Sequence, residues 1–81
     1  MALSNSPSTT RVEDFKALTR DGVSNREVPK IEEFAGQVGN YSLEERQELL
    51  ETTRLALLHR QTQRDAKTAL TSFRETMLQY T

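Results

Sequence analysis

The sequence predicts an all-α protein in which two short N-terminal helices pack on one long C-terminal helix, with a disordered N-terminal tail. Three observations predict this fold. Residues 43–80 contain neither glycine nor proline, apolar residues recur at spacings of three and four, and a helix-capping sequence stands at the start of the longest segment. We expect helices at about residues 11–20, 30–38 and 43–80.

Residues 1–10 form the predicted tail. They are mostly serine, threonine, asparagine and proline, which bury too little apolar surface to offset the entropy of ordering. Residues 11–81 are expected to form a single small helical domain, because a chain of 81 residues supports only one core.

The first helix is predicted at about residues 11–20. Thr10 stands in the N-cap position, acidic residues follow in the first turn, and Asp21-Gly22 can end the helix. Val12, Phe15 and Leu18 lie along one side. These apolar residues suffice for docking but not for independent stability.

The second helix is predicted at about residues 30–38, after a polar linker. Pro29 suits the first turn of a helix. The apolar residues of the segment are Ile31, Phe34, Ala35 and Val38, at the i, i+3, i+4 and i+7 positions of one face. Gly39-Asn40 is a typical helix end.

The third helix is predicted over residues 43–80. Ser42 and Glu45 form a capping box, in which each side chain accepts a hydrogen bond from the other residue's backbone N–H. One uninterrupted helix of about 38 residues would be roughly 57 Å long. Acidic residues lie early in it and basic residues late, which matches the helix macrodipole.

The segment from His59 to Asp65 is polar throughout. A solvated stretch within a continuous helix is the simplest interpretation. A break that produces a helical hairpin and a polar recognition site are the alternatives, and the sequence leaves the continuity of the helix through this segment open.

The long helix carries two apolar stripes on different faces. Leu43, Leu50 and Leu57 recur every seven residues, whereas the second half follows spacings of three and four through Phe73 and Met77. The N-terminal helices can cover one stripe, and an exposed apolar band marks an interaction site. The predicted protein contacts are Leu50, Leu55, Leu57, Leu58, Phe73, Met77 and Tyr80.

Composition points to a protein partner. Hydrophobic residues make up 35 % of the chain, and the formal net charge is −1, so the core is thin and no overall field attracts nucleic acid or anionic lipid. No apolar run approaches the roughly 20 residues of a membrane span or the core of a signal peptide. A cytoplasmic location is therefore expected, and export by a specialised system stays open.

Neither catalysis nor a cofactor is predicted. The chain has no cysteine and one histidine, and His59 has no carboxylate three or four residues away. Glu44, Glu48 and Glu51 share a helix face but lack the spacing and turn glycine of a calcium loop. We expect a solvated or interface histidine, a solvated acidic face, no metal site and no enzyme activity.

Nucleic-acid binding is the third hypothesis. A set of late basic residues could follow a phosphate backbone, although a solvated basic end that balances the macrodipole is the simpler explanation. The candidate nucleic-acid contacts are Arg60, Arg64, Lys67 and Arg74.

A loop of sequence Gly39-Asn40-Tyr41-Ser42 followed by a long helix ending in Met77-Leu78-Gln79-Tyr80 resembles the needle and inner-rod subunits of type III secretion systems. That resemblance covers about half of the chain and implies polymerisation through the C-terminal helix. The Asn-Pro type turn of that family is absent here.

The function predicted from these observations is a helical protein-interaction module, such as an adaptor, a chaperone or a regulatory inhibitor. A protein partner or a second copy of the chain is expected. In a homodimer, antiparallel helices centred near Leu55 to Leu58 would place glutamates opposite the late basic residues. A self-assembling filament subunit and a small nucleic-acid-binding regulator are the alternative hypotheses.

Overall fold

The computed structural model describes residues 11–59 and 61–80, and the predicted tail at residues 1–10 lies outside them. The all-α prediction is confirmed, since the described residues contain helices and no strand. The helices are α1 (Val12–Leu18), α2 (Val28–Gly36), α3 (Leu43–His59) and α4 (Arg64–Gln79), with 3₁₀ turns at Asn25–Glu27 and Val38–Asn40.

The first two helices lie close to their predicted positions. The N-cap of α1 is Arg11 rather than the predicted Thr10, and the Arg11 backbone N–H donates to the Asp14 carboxylate at 3.4 Å. Helix α2 starts at Val28, so Pro29 lies in its first turn as its fixed φ allows. It ends at Gly36, and Val38 belongs to the following 3₁₀ turn.

The prediction of one continuous helix over residues 43–80 is wrong. Helix α3 ends at His59 and α4 begins at Arg64, so the alternative of a helical hairpin describes the chain. The local preference for helix is overridden because α4 packs against α2 and α3, which buries the apolar face of α4 inside its own chain. The antiparallel dimer seam of two uninterrupted helices is therefore not available in this conformation.

Contacts between two distant segments accompany the break. The Val23 N–H donates to the Gln61 carbonyl at 3.1 Å, and the Gln63 N–H donates to the Val23 carbonyl at 2.9 Å. The Asn25 side-chain oxygen accepts hydrogen bonds from the Asp65 and Ala66 N–H groups, at 3.1 and 3.3 Å. We call this contact of residues 22–25 with residues 61–66 the clasp. Through it, Asn25 caps the N-terminus of α4 from 40 residues away.

Gly22 allows the clasp to form. Its φ of 121° lies in a region that other residues rarely adopt. A Cβ atom at this position would overlap the carbonyl oxygen of Gln61. Any side chain at residue 22 would therefore both strain the backbone and push the two segments apart.

The core is centred on three phenylalanines from three helices. The ring centroids of Phe15 and Phe34 are 5.0 Å apart, and those of Phe15 and Phe73 are 5.3 Å apart. Tilted and edge-on pairs at such distances stabilise the fold beyond their apolar area. The other buried apolar residues are Val23, Ile31, Val38, Tyr41, Leu49, Ala56, Ala66, Leu70 and Met77.

Candidate interaction surfaces

Two leucines of α3 lie on the outer side of the bundle. The side chain of Leu58 is 61 % exposed, and Leu55, one turn earlier, is partly exposed. A groove of about 360 Å³ runs beside Leu55. Its other lining residues are Lys16, Thr19, Glu48, Glu51 and Thr52. We call Leu55 and Leu58 the leucine patch.

The leucine patch is exposed because a different side of α3 faces the core. The buried residues of this helix are Leu49, Thr53 and Ala56, which recur at i, i+4 and i+7. The Thr53 hydroxyl donates to the Leu49 carbonyl at 2.7 Å, which satisfies a polar group in a fully buried position. Sequence reasoning missed this seam because threonine and alanine contribute little to a hydrophobicity pattern.

The structure separates the remaining predicted contacts into core and surface. Leu50 and Leu57 are half-buried and pack against the core. Phe73 and Met77 are completely buried, so in this conformation they stabilise the bundle and offer no surface to a partner. Tyr80 is 54 % exposed, just beyond the end of α4.

Arg46 lies next to Tyr80 and connects it to the turn before α3. Its guanidinium carbon lies 5.5 Å from the centroid of the Tyr80 ring, a distance typical of a cation–π contact. The same guanidinium donates to the carbonyls of Val38 and Tyr41, at 3.1 and 2.8 Å. Sequence analysis did not single out Arg46, because its partners belong to a turn whose geometry arises only on folding.

The Tyr41 hydroxyl group has an altered acidity. Burial, as the largest cause, and the nearby carboxylates of Glu45, Asp14 and Glu33 together raise the pKa of Tyr41 to about 12. Both effects disfavour a phenolate. The folded state therefore prefers neutral Tyr41.

The candidate nucleic-acid contacts fall on α4 and the residues before it. Arg60 lies outside the described residues, and Arg64, Lys67 and Arg74 are exposed. At 100° per residue these three lie within about 80° of one another. None of them forms an ion pair with another described residue. The structure thus brings three of the four predicted basic residues to one face of α4.

Two of the acidic residues of α3 have basic partners within the chain. Glu48 accepts from the Lys16 ammonium at 2.6 Å, and Glu51 forms an ion pair with Arg54 at 2.7 Å. The hydrogen bond from Arg54 lowers the pKa of Glu51. Within residues 11–59 and 61–80, no group of three or more histidine, aspartate or glutamate side chains is placed to hold a metal ion. His59 is exposed at the end of α3.

A groove of about 670 Å³ lies between α1 and α2. Its lining residues are Asp14, Ala17, Leu18, Glu27, Lys30, Glu33 and Phe34. Three of them are acidic, one is basic and three are apolar. The groove is a poor fit for a phosphate backbone, which needs basic contacts.

Comparison with known proteins does not assign the chain to a family. The chain matches no protein-family model, and it has no significant match among curated proteins or solved structures. Among the described helices, none combines the length and apolar character needed to cross a membrane. The resemblance to secretion needle and rod subunits stays a prediction from residues 39–42 and 77–80 alone.

Proposed function

We propose that this chain is a non-enzymatic helical interaction module, an adaptor, chaperone or regulatory inhibitor, that binds a protein partner through the leucine patch of α3. The exposure of Leu58, 61 % on a helix whose opposite side fills the core, carries the proposal. Burying one leucine contributes about 1.5 to 3 kcal/mol. A partner that covers Leu55 and Leu58 would recover this free energy.

The surroundings of the leucine patch favour a protein partner. Glu51 and Arg54, which form an ion pair, are exposed on the same helix. An apolar centre with a polar, charged rim is typical of protein interfaces. The charges beside the patch are paired, Glu48 with Lys16 and Glu51 with Arg54, and leave no excess positive charge to bind a phosphate backbone.

A nucleic-acid-binding regulator is the second candidate function, and one observation favours it. Arg64, Lys67 and Arg74 share an exposed face of α4 and have no ion-pair partner among the described residues. Such binding would weaken steeply with salt. A binding titration with duplex DNA and with RNA at low and high salt tests this candidate. Three phosphate contacts predict that the binding constant falls clearly as the salt concentration rises.

Site-specific photo-crosslinking tests the primary proposal. A photoreactive amino acid at residue 58 should give one discrete adduct with a partner in extracts of the source cells. The same amino acid at residue 72, where Ser72 is exposed on α4, is the matched control and should give none. Equal crosslinking from both positions, or none from residue 58, would contradict the proposal.

Light scattering after size-exclusion chromatography, over a hundredfold concentration range, separates the remaining alternatives. A discrete complex agrees with an adaptor. Growth without a stopping point would indicate the filament subunit, because only closed symmetry limits assembly.

A further inference from the structure

The turn between α3 and α4 consists of residues that favour a helix as readily as a turn. Gln61, Thr62 and Gln63 include neither glycine nor proline, and short helix–helix turns usually contain such a residue. The hydrogen bonds of the clasp stabilise the turn, which has no glycine or proline at residues 61–63. The bend is therefore stabilised by contacts from residues 22–25, and the local sequence of the α3–α4 segment also permits a second conformation.

That second conformation is one continuous helix. Straightening the segment would break the clasp hydrogen bonds of Val23 and Asn25. It would replace them with helical i to i−4 hydrogen bonds across the turn. Because helical hydrogen bonds replace those of the clasp, straightening changes the free energy of the turn itself only slightly.

The large cost of straightening comes from α4, which supplies much of the core. Ala66, Leu70, Phe73 and Met77 are all 0 % exposed, and a lone straightened chain would place them in water. The vacated groove between α2 and α3 would also be left open. A second copy of the same chain carries an identical α4 and an identical groove, so two copies can restore the core contacts of α4 for each other.

We propose that a second copy of this chain is a partner, and that two copies exchange α4 through straightened α3–α4 helices. Each groove then holds the α4 of the other copy. The exchange is reciprocal and closes after two copies, as domain swapping does when a hinge is destabilised. The inference rests on the clasp and on the core contacts of α4 and not on the leucine patch, so it is independent of the proposed function.

Straightening the α3–α4 segment changes the distance between its two ends, and this distance can be measured. Glu44 and Glu75 would lie about 46 Å apart along a continuous helix. The folded chain is only 39 Å in its longest dimension. Spin labels on cysteines at these exposed positions report the difference directly, since the chain has no other cysteine.

The first test is Gly22→Ala with Gly36→Ala as its control. A methyl group at residue 22 collides with the Gln61 carbonyl, whereas one at Gly36 meets nothing within 4 Å. We expect Gly22→Ala to lower the dimer dissociation constant at least tenfold, measured by sedimentation. The doubly labelled dimer, diluted with unlabelled protein, should give the distance near 46 Å. Gly36→Ala should behave as the wild type.

The second test is Arg64→Pro, which permits the hairpin and forbids the continuous helix. Residue 64 is the first residue of α4, and Gln63 before it has φ −72° and ψ 159°, an extended conformation that proline requires of its neighbour. Inside a continuous helix the proline would remove an i to i−4 hydrogen bond and clash with the preceding turn. Adding Arg64→Pro to Gly22→Ala should restore the monomer.

Three outcomes would overturn the inference. A folded Gly22→Ala monomer at all concentrations is one, and a Gly22→Ala dimer with a label distance below 39 Å is another. If Gly22→Ala fails to fold, wild type and Arg64→Pro are refolded at high concentration, where only the wild type should yield a dimer. The third outcome is an equal fraction of dimer from wild type and Arg64→Pro, or no dimer from either protein.

Discussion

At the scale of single residues, small groups far apart in the sequence decide where the helices end. The side-chain oxygen of Asn25 accepts hydrogen bonds from two backbone N–H groups of α4. The residue just before a helix normally has this capping role. Gly22 supplies a backbone conformation with positive φ. Neither role is visible locally, because each partner lies about 40 positions along the chain.

Tyr41 gives a prediction for alkaline pH. Its folded pKa is raised to about 12, above the ordinary value of about 10, so the unfolded chain loses this proton first. The free energy of unfolding should therefore be unaffected below about pH 10 and fall between about pH 10 and 12. Urea denaturation across this range, followed by circular dichroism, measures the decline.

Tyr41→Phe is the control for this effect, because phenylalanine has no proton to lose. Its stability should depend less on pH than that of the wild type in the same window. Parallel pH profiles for the two proteins would show that Tyr41 does not titrate with the assigned shift.

At the scale of elements, the start of α3 follows its local sequence. The Ser42 N–H donates to the Glu45 carboxylate at 2.8 Å, and the Glu45 N–H donates to the Ser42 hydroxyl at 3.1 Å. The predicted capping box is thus confirmed. Its partners lie three residues apart, so no tertiary contact is needed to form it.

Ser42→Ala should lower the free energy of unfolding by about 1 kcal/mol, because it leaves the Glu45 N–H without its cap. Ser72→Ala is the matched control, since Ser72 is exposed within α4 and caps nothing. Its effect should lie within about 0.5 kcal/mol. Chemical denaturation of both variants distinguishes them, and equal effects would contradict the capping role.

At the scale of the whole molecule, α4 completes the core. Phe73 contacts both other phenylalanine rings, with centroids 5.3 and 6.3 Å away. Helix α4 packs against α2 and α3, and α1 packs against α3. The stability of the bundle therefore depends on the hairpin more than on any surface ion pair.

Phe73→Ala should cost about 3 to 5 kcal/mol, a large part of the roughly 4 to 12 kcal/mol expected for a domain of this size. Leu58→Ala should change stability by no more than about 0.5 kcal/mol, because the side chain is largely exposed. Thermal and urea denaturation compare the two. Similar losses would mean that Leu58 is packed and the leucine patch is not a free surface.

The predicted contacts show how far sequence reasoning extends. Leu58 is exposed and Leu55 is partly exposed, whereas Phe73 and Met77 are core residues. Both pairs have helical spacing, and the pattern alone does not say which apolar face the chain covers itself. Leu57 is among the predicted contacts, but Leu57→Asp would damage the fold, because Leu57 packs against the core.

By itself the sequence determined the all-α class, the capping box at Ser42, the apolar faces of α1 and α2, and a turn-forming segment after each of these two helices. These features depend on residues within one or two helical turns of each other. Only the tertiary structure decided that residues 43–80 form two helices and that Phe73 belongs to the core. The physical reason is that helix propensity favours continuity by tenths of a kilocalorie per residue, whereas burying the apolar face of α4 is worth several kilocalories.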